Sequence, residues 1–105
     1  MREIELKITK INLKEITGED AIIDFDYKKT LLDCLNTVIS NGISIEDVEK
    51  RLTIRKKLQD SSTKIILDEA DYEYLKMLVL EEKWKIADQC IVDYVNDIKN
   101  APKVN

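Results

Sequence analysis

Five cations stand within eight residues, Lys50-Arg51-Leu52-Thr53-Ile54-Arg55-Lys56-Lys57, with no acid among them. Lys50, Arg51, Arg55, Lys56 and Lys57 therefore form a candidate charged contact surface, able to track phosphates or an acidic partner. The same run also suits a solvated helix face. Glu46 to Lys50 and Asp47 to Arg51 are i,i+4 pairs in the favourable order, and Arg55, Lys56 and Lys57 fall in a last turn, where cations suit the helix dipole. Outside the run the chain holds 12 basic against 21 acidic side chains, and the whole sums to −4. That balance disfavours nucleic acid as a partner, because non-specific affinity grows with the phosphates neutralised. The acids offer a second candidate. Asp24 and Asp26 share one face of an alternating segment and Asp20 precedes them, making a candidate acidic surface. Oxygen clusters hold hard cations, but the glycine-punctuated loop of an EF-hand is missing. The readings left are a wet strand face or a surface that mimics phosphate.

The residues that are missing narrow the chemistry further. There is no histidine, which removes the commonest general base, the commonest metal ligand and every Ser-His or Cys-His pair. Two glycines in all cannot write a phosphate-binding loop or a GxGxxG turn. Cys34 and Cys90 lie far apart on apolar stripes and form no CxxC; they read as buried, reduced thiols. No catalytic residue, metal ligand or cofactor is assigned, and a non-enzyme is expected.

The elements that position these groups follow from periodicity. At 105 residues the chain reads as a single domain, with a 1–29 hairpin region, two helices over 30–59, a loop and short strand over 60–67, helices over 68–100 and a loose tail at 101–105. Ile4, Leu6 and Ile8 alternate with charge, then the parity slips to Ile11 and Leu13, as a bulge at Thr9-Lys10 produces. After a turn at Thr17-Gly18-Glu19-Asp20, Ala21, Ile23, Phe25 and Tyr27 alternate again, so the two segments are expected to pair antiparallel. Thr30 to Asp33 opens a helix with Leu31, Leu35, Val38 and Ile39 on one face and a stop at Asn41-Gly42. Ser44 opens another, with Ile45, Val48 and Leu52 inward, running to about Leu58. Ile65 to Leu67 is expected to add a third strand to the hairpin. The order β-β-α-α-β-α-α predicts an α+β fold, with about four helices packed on a small antiparallel sheet.

The segment Asp68 to Lys99 organises the rest. Asp68 caps a helix whose run Tyr74-Leu-Lys-Met-Leu-Val-Leu80 is apolar nearly all round, so more than one face needs cover. A break is expected near Glu82 to Trp84, before a second stripe of Trp84, Ala87, Cys90, Ile91, Tyr94, Val95 and Ile98. Tyr74, Met77, Leu80 and Trp84 are the candidate interface residues, of the types found at interface centres, and a homodimer or small oligomer is expected. No apolar run reaches the ~18–20 residues of a membrane span, and the N-terminus lacks a signal-peptide core; membrane partners are not expected.

Gly18, Thr30-Leu31-Leu32-Asp33-Cys34-Leu35, Ile66-Leu67-Asp68-Glu69-Ala70-Asp71 and the Trp84 to Ile98 stripe follow one another in an order that resembles small proteins encoded by tailed phages and prophages of low-GC Gram-positive bacteria. The resemblance lies in segment order and covers most of the chain. It implies a non-enzymatic accessory in the bacterial cytoplasm that binds itself and a phage or host protein, such as a modulator or inhibitor of a host defence machine. The alternative is a nucleic-acid-associated or virion-assembly accessory that uses the basic helix 50–57.

Overall fold

The computed structural model describes residues 1–37 and 39–104. The fold is α+β, with five helices and two small antiparallel sheets of two strands each among the described residues. Strand β1 (Arg2–Glu5) pairs with β4 (Lys64–Leu67), and β2 (Ile8–Asn12) pairs with β3 (Ile22–Asp26). A single helical turn, α1 (Lys14–Thr17), closes the β2–β3 hairpin, with Gly18 ending it at φ +80°, where a side chain would be strained. The longer helices are α2 (Tyr27–Leu35), α3 (Ile45–Gln59), α4 (Glu69–Glu81) and α5 (Gln89–Lys99).

The expected hairpin is present, but the slip in parity has a different origin. No bulge lies at Thr9-Lys10, where β2 pairs residue for residue with β3. The chain instead passes from one sheet to the other between Leu6 and Lys7. Leu6 N donates to Thr63 O at 2.9 Å beside β4, and Lys7 O accepts from Tyr27 N at 2.9 Å beside β3. Changing sheets resets which parity points inward, so Ile4 and Ile11 are buried and Ile8 is exposed. The third strand also forms, but it pairs with β1 and does not extend the hairpin.

Helix α2 starts one turn before the expected Thr30. The Asp26 carboxylate accepts from Lys28 N and Lys29 N, while the Thr30 hydroxyl donates to Asp26 O at 2.7 Å. It ends at Leu35, short of Asn41-Gly42, because Thr37, Ser40 and Asn41 are weak helix formers. Leu31 and Leu35 face the core as expected; Val38 lies outside the described residues. Ser44 caps α3 through Asp47 N at 3.2 Å. The inward face of α3 differs from the reading: Ile54 and Leu58 are buried while Ile45 and Leu52 are exposed. Only the C-terminal half of α3 carries buried residues, and there Arg51 and Arg55 share the i,i+3/i+4 stripe with Ile54 and Leu58.

Asp68 caps α4 through Asp71 N at 2.8 Å, as expected. The break also forms: α4 ends at Glu81, Glu82 is extended, and α5 starts only at Gln89 under its own cap, Asp88. The core draws on β1, β4, the four longer helices and the strap, from Ile4 through Tyr27, Leu31, Leu35, Ile54, Leu58, Leu67, Leu75 and Tyr94 to Ile98 and Ala101. Where the second sheet meets α5, Phe25, Tyr27, Trp84 and Tyr94 pack edge-on or tilted, with ring centroids 5.0 to 6.3 Å apart. Such pairs add specificity beyond the area they bury. The expected loose tail is instead a strap. Pro102 O accepts from Glu3 N at 3.0 Å, and Val104 N donates to Met1 O at 2.8 Å. The strap covers the outer edge of β1, and edges left open are prone to mispairing.

Candidate functional site

Helix α4 positions the apolar candidates. Its inward positions Tyr72, Leu75, Leu78 and Val79 are buried, and its outward positions Ala70, Glu73, Met77 and Leu80 recur at helical spacing. Tyr74 belongs to the inward set. It is only 8% exposed and is part of the core, so its expected place at an open interface is corrected. Its hydroxyl accepts from Arg51 Nε at 3.1 Å, and Lys50 Nζ stands 5.4 Å from its ring centre. Met77 at 44% and Leu80 at 52% exposure remain outside. Four residues past Leu80, Trp84 packs on Phe25 and Tyr94, so it is partly buried. The chain around it lines an open groove of about 400 Å³ with Ile86, Ala87, Ile91 and Val92. The result is an exposed apolar pair on α4 and, between α4 and α5, a separate open groove of mostly apolar lining.

The basic run is largely engaged within the chain. Lys50 and Arg51 hold Tyr74, and Arg51 also reaches Leu35 O at 3.4 Å. Arg55 donates to Asn36 Oδ1 at 2.8 Å, and Lys57 pairs with Asp71 at 3.3 Å. Lys56 is exposed. The run is therefore not a free cationic face: its long side chains tie α3 to α2 and α4. The acidic candidates are likewise dispersed. Asp24 pairs with Lys10, Asp26 caps α2, and Asp20 lies exposed in the loop before β3. Among the described residues no group of three His, Cys, Asp or Glu side chains could hold a metal ion.

Two polar features escaped the sequence reading. A cleft of about 370 Å³ between β1 and α5 is lined by Glu3, Glu5, Lys7, Asn96, Asp97 and Asn100. In it Tyr27 Oη donates to Asp97 Oδ2 at 2.6 Å and Lys7 approaches the same oxygen at 3.3 Å. Burial, then the Asp97 carboxylate, push the Tyr27 phenol well above its ordinary range, so it stays protonated. Hydrogen bonding and charge from Asp97 raise Lys7 in turn. Asp97 Oδ2 is therefore already engaged by both groups. The polar spacing Asn96-Asp97-x-x-Asn100 on α5 was the available signal. A smaller pocket of about 170 Å³ is lined by Arg51, Glu81 and Glu82 beside the buried Cys34. Burial and the neighbouring Glu82 push this thiol up to about 12, which leaves it a weak nucleophile. Both cysteines are free thiols.

Among the described residues no helix is long and apolar enough to cross a membrane. Comparison of the chain with known protein families, with curated proteins and with solved structures returns no match.

Proposed function

We propose that this chain works by binding another protein and catalyses no reaction. The carrying observation is the exposed pair Met77 and Leu80 on the outward stripe of α4, large flexible apolar groups at a place where solvent offers them nothing. Cys34, held protonated, and Asp97, occupied by Tyr27 and Lys7, support the same reading. The resemblance in segment order to phage and prophage accessory proteins points to a role as a modulator of a phage or host machine. Self-association through the same stripe is the simplest form of that binding.

The test is sedimentation equilibrium of the wild type and of the double variant Met77→Asp, Leu80→Asp. Both positions face outward, so the variant should fold and show an unchanged circular dichroism spectrum. A wild-type mass above 12.2 kDa that falls to monomer in the variant supports self-association. A monomeric wild type assigns the stripe to a different protein, and the variant should then fail to bind whatever co-purifies with the wild type from its source cell. A wild type that neither self-associates nor retains any protein through these residues would overturn the proposal. A role for the cations in nucleic-acid binding gains no support from Lys50, Arg51, Arg55 and Lys57, which are engaged inside the chain.

A further inference from the structure

We infer that the outer edge of β3 is a docking site for an extended, basic strand of a partner protein. The inference concerns a different surface from the α4 stripe and stands without it. Its basis is the register of the hairpin. Tyr27 N donates to Lys7 O and Leu13 N donates to Ala21 O, so with Ile8 opposite Asp26 the odd-numbered pairs exchange the ladder hydrogen bonds. The N–H and C=O groups of Ile22 and Asp24 therefore point away from β2. Among the described residues no hydrogen bond reaches them from that side. The other strand edges near the termini are treated differently: the 101–104 strap covers β1, and Cys90 Sγ donates to Lys10 O at 3.1 Å on the outer side of β2. The side chains along β3 are open too, with Ile22 at 66% and Ile23 at 42% exposure. Two donors and two acceptors in register, flanked by exposed isoleucines, form a template for strand addition.

Charge chooses the occupant. Glu19, Asp20, Asp24 and Asp26 flank or occupy the edge, and Lys10 pairs with Asp24 from the β2 side only. A second copy of β3 does not fit. In antiparallel self-pairing through the outward residues, centring on Asp24 sets Asp24 against Asp24. Centring on Ile23 sets Asp20 against Asp26, and centring on Ile22 sets Asp20 against Asp24. Each register places carboxylates opposite carboxylates, which is destabilising. A strand that alternates Lys or Arg with apolar residues reverses the sign: with its cations opposite Asp24 and Asp26, its apolar residues fall opposite the exposed Ile23 on the other face.

The experiment uses the full chain, labelled with nitrogen-15, and a blocked ten-residue peptide alternating Lys and Val, with an alternating Glu and Val peptide as control. The Lys/Val peptide should slow amide exchange at Ile22 and Asp24, which are open in the free protein, while Ile23 and Phe25 are already protected by the ladder. The Glu/Val peptide should not. Ile22→Pro removes an N–H that faces solvent and leaves the β2 ladder intact. It should weaken Lys/Val binding about two- to tenfold, the effect of losing one net hydrogen bond. Asp24→Lys should move the preference toward the Glu/Val peptide, which tests the charge argument even if the proline variant fails to fold. Binding without new protection at Ile22 and Asp24, equal binding of both peptides, or no protection at millimolar Lys/Val peptide would each overturn the inference. Met77→Asp, Leu80→Asp should leave the peptide response unchanged, so failure here and failure of the α4 stripe are read separately.

Discussion

At the scale of single residues, two side chains carry duties that their types allow but do not announce. Tyr72 Oη lies 2.7 Å from Ile98 O and 2.9 Å from Lys99 O, donating to carbonyls at the end of α5 that the helix itself cannot satisfy. Tyr72→Phe keeps the ring and strands those acceptors, so urea unfolding should show a loss of roughly 1–3 kcal/mol; an unchanged midpoint would mean water replaces the hydroxyl. Cys34 sets a pH dependence. Its folded-state value is raised, by burial and then by Glu82, to about 12, above the ordinary thiol value near 8.5. The stabilisation is thus full below the unfolded value and fades as pH rises from about 9 toward 12, by up to ~1.4 kcal/mol per unit. Cys34→Ala should make that part of the stability profile less steep, the raised Tyr27 phenol leaving a residual slope above about pH 10, and a thiol reagent at pH 8 should modify Cys90 before Cys34 in the native protein. The apolar role of Cys34 was legible from its place on a Leu stripe. Tyr72 was not, because its partners lie 26 and 27 residues away and no local pattern encodes such a bond.

At the scale of elements, caps were legible where one residue competed alone and ambiguous where two did. Ser44 and Asp68 stand at the starts they imply. Asp26 and Thr30 both suit an N-cap, and the earlier one wins because it starts the helix at Tyr27, which then packs on Phe25 and Tyr94. The break after α4 was legible from the interrupted stripe at Glu81-Glu82-Lys83, but the start of α5 was not: Trp84 satisfies the stripe from a loop by packing on Phe25. Asp88 fixes the true start by accepting from Cys90 N at 2.9 Å. Asp88→Ala should cost about 1 kcal/mol in thermal or urea unfolding and leave the α4 caps untouched. The face of α3 misled the reading because two of its buried-side positions are arginines, whose stems cover apolar surface while their heads find partners. With those heads engaged by Tyr74, Leu35 and Asn36, fluorescence anisotropy should detect no duplex DNA binding at physiological salt. A salt-sensitive isotherm that disappears on reversing Arg55, Lys56 and Lys57 to Glu would restore the cationic face.

At the scale of the whole molecule, the α+β class followed from alternating and helical periods, but the split into two sheets did not. Pairing β1 with β4 joins segments some sixty residues apart, and the decision rests on which edges need cover. The C-terminal strap is the last such cover. Ala101 is buried, its carbonyl accepts from Arg2 Nη1 at 2.8 Å, and Pro102 and Val104 add backbone bonds to Glu3 and Met1. Arg2 also pairs with Glu69 at 2.8 Å, which ties the strap and β1 to the start of α4. That hydrogen bond holds the Glu69 carboxyl below its ordinary value; the sign is then that the tie is complete above the ordinary carboxylate range and lost as pH falls through the lowered value. Because Glu69 is exposed, this contribution is small and screened by salt. Deleting residues 101–105 removes the strap while leaving α5 and its caps. Three backbone hydrogen bonds, counting the one from Ala101 N to Ile98 O, and one from Arg2 are lost, about 2–6 kcal/mol together at the usual net value per bond. The outer edge of β1 is laid open beside the already open edge of β3. The shortened chain should melt several degrees lower, since about 1 kcal/mol moves a domain of this size by ~4–8 °C, and it should associate as concentration rises, through an edge that the full chain keeps covered. Equal melting temperatures and equal sedimentation for the two chains would mean the strap rests on β1 without stabilising it.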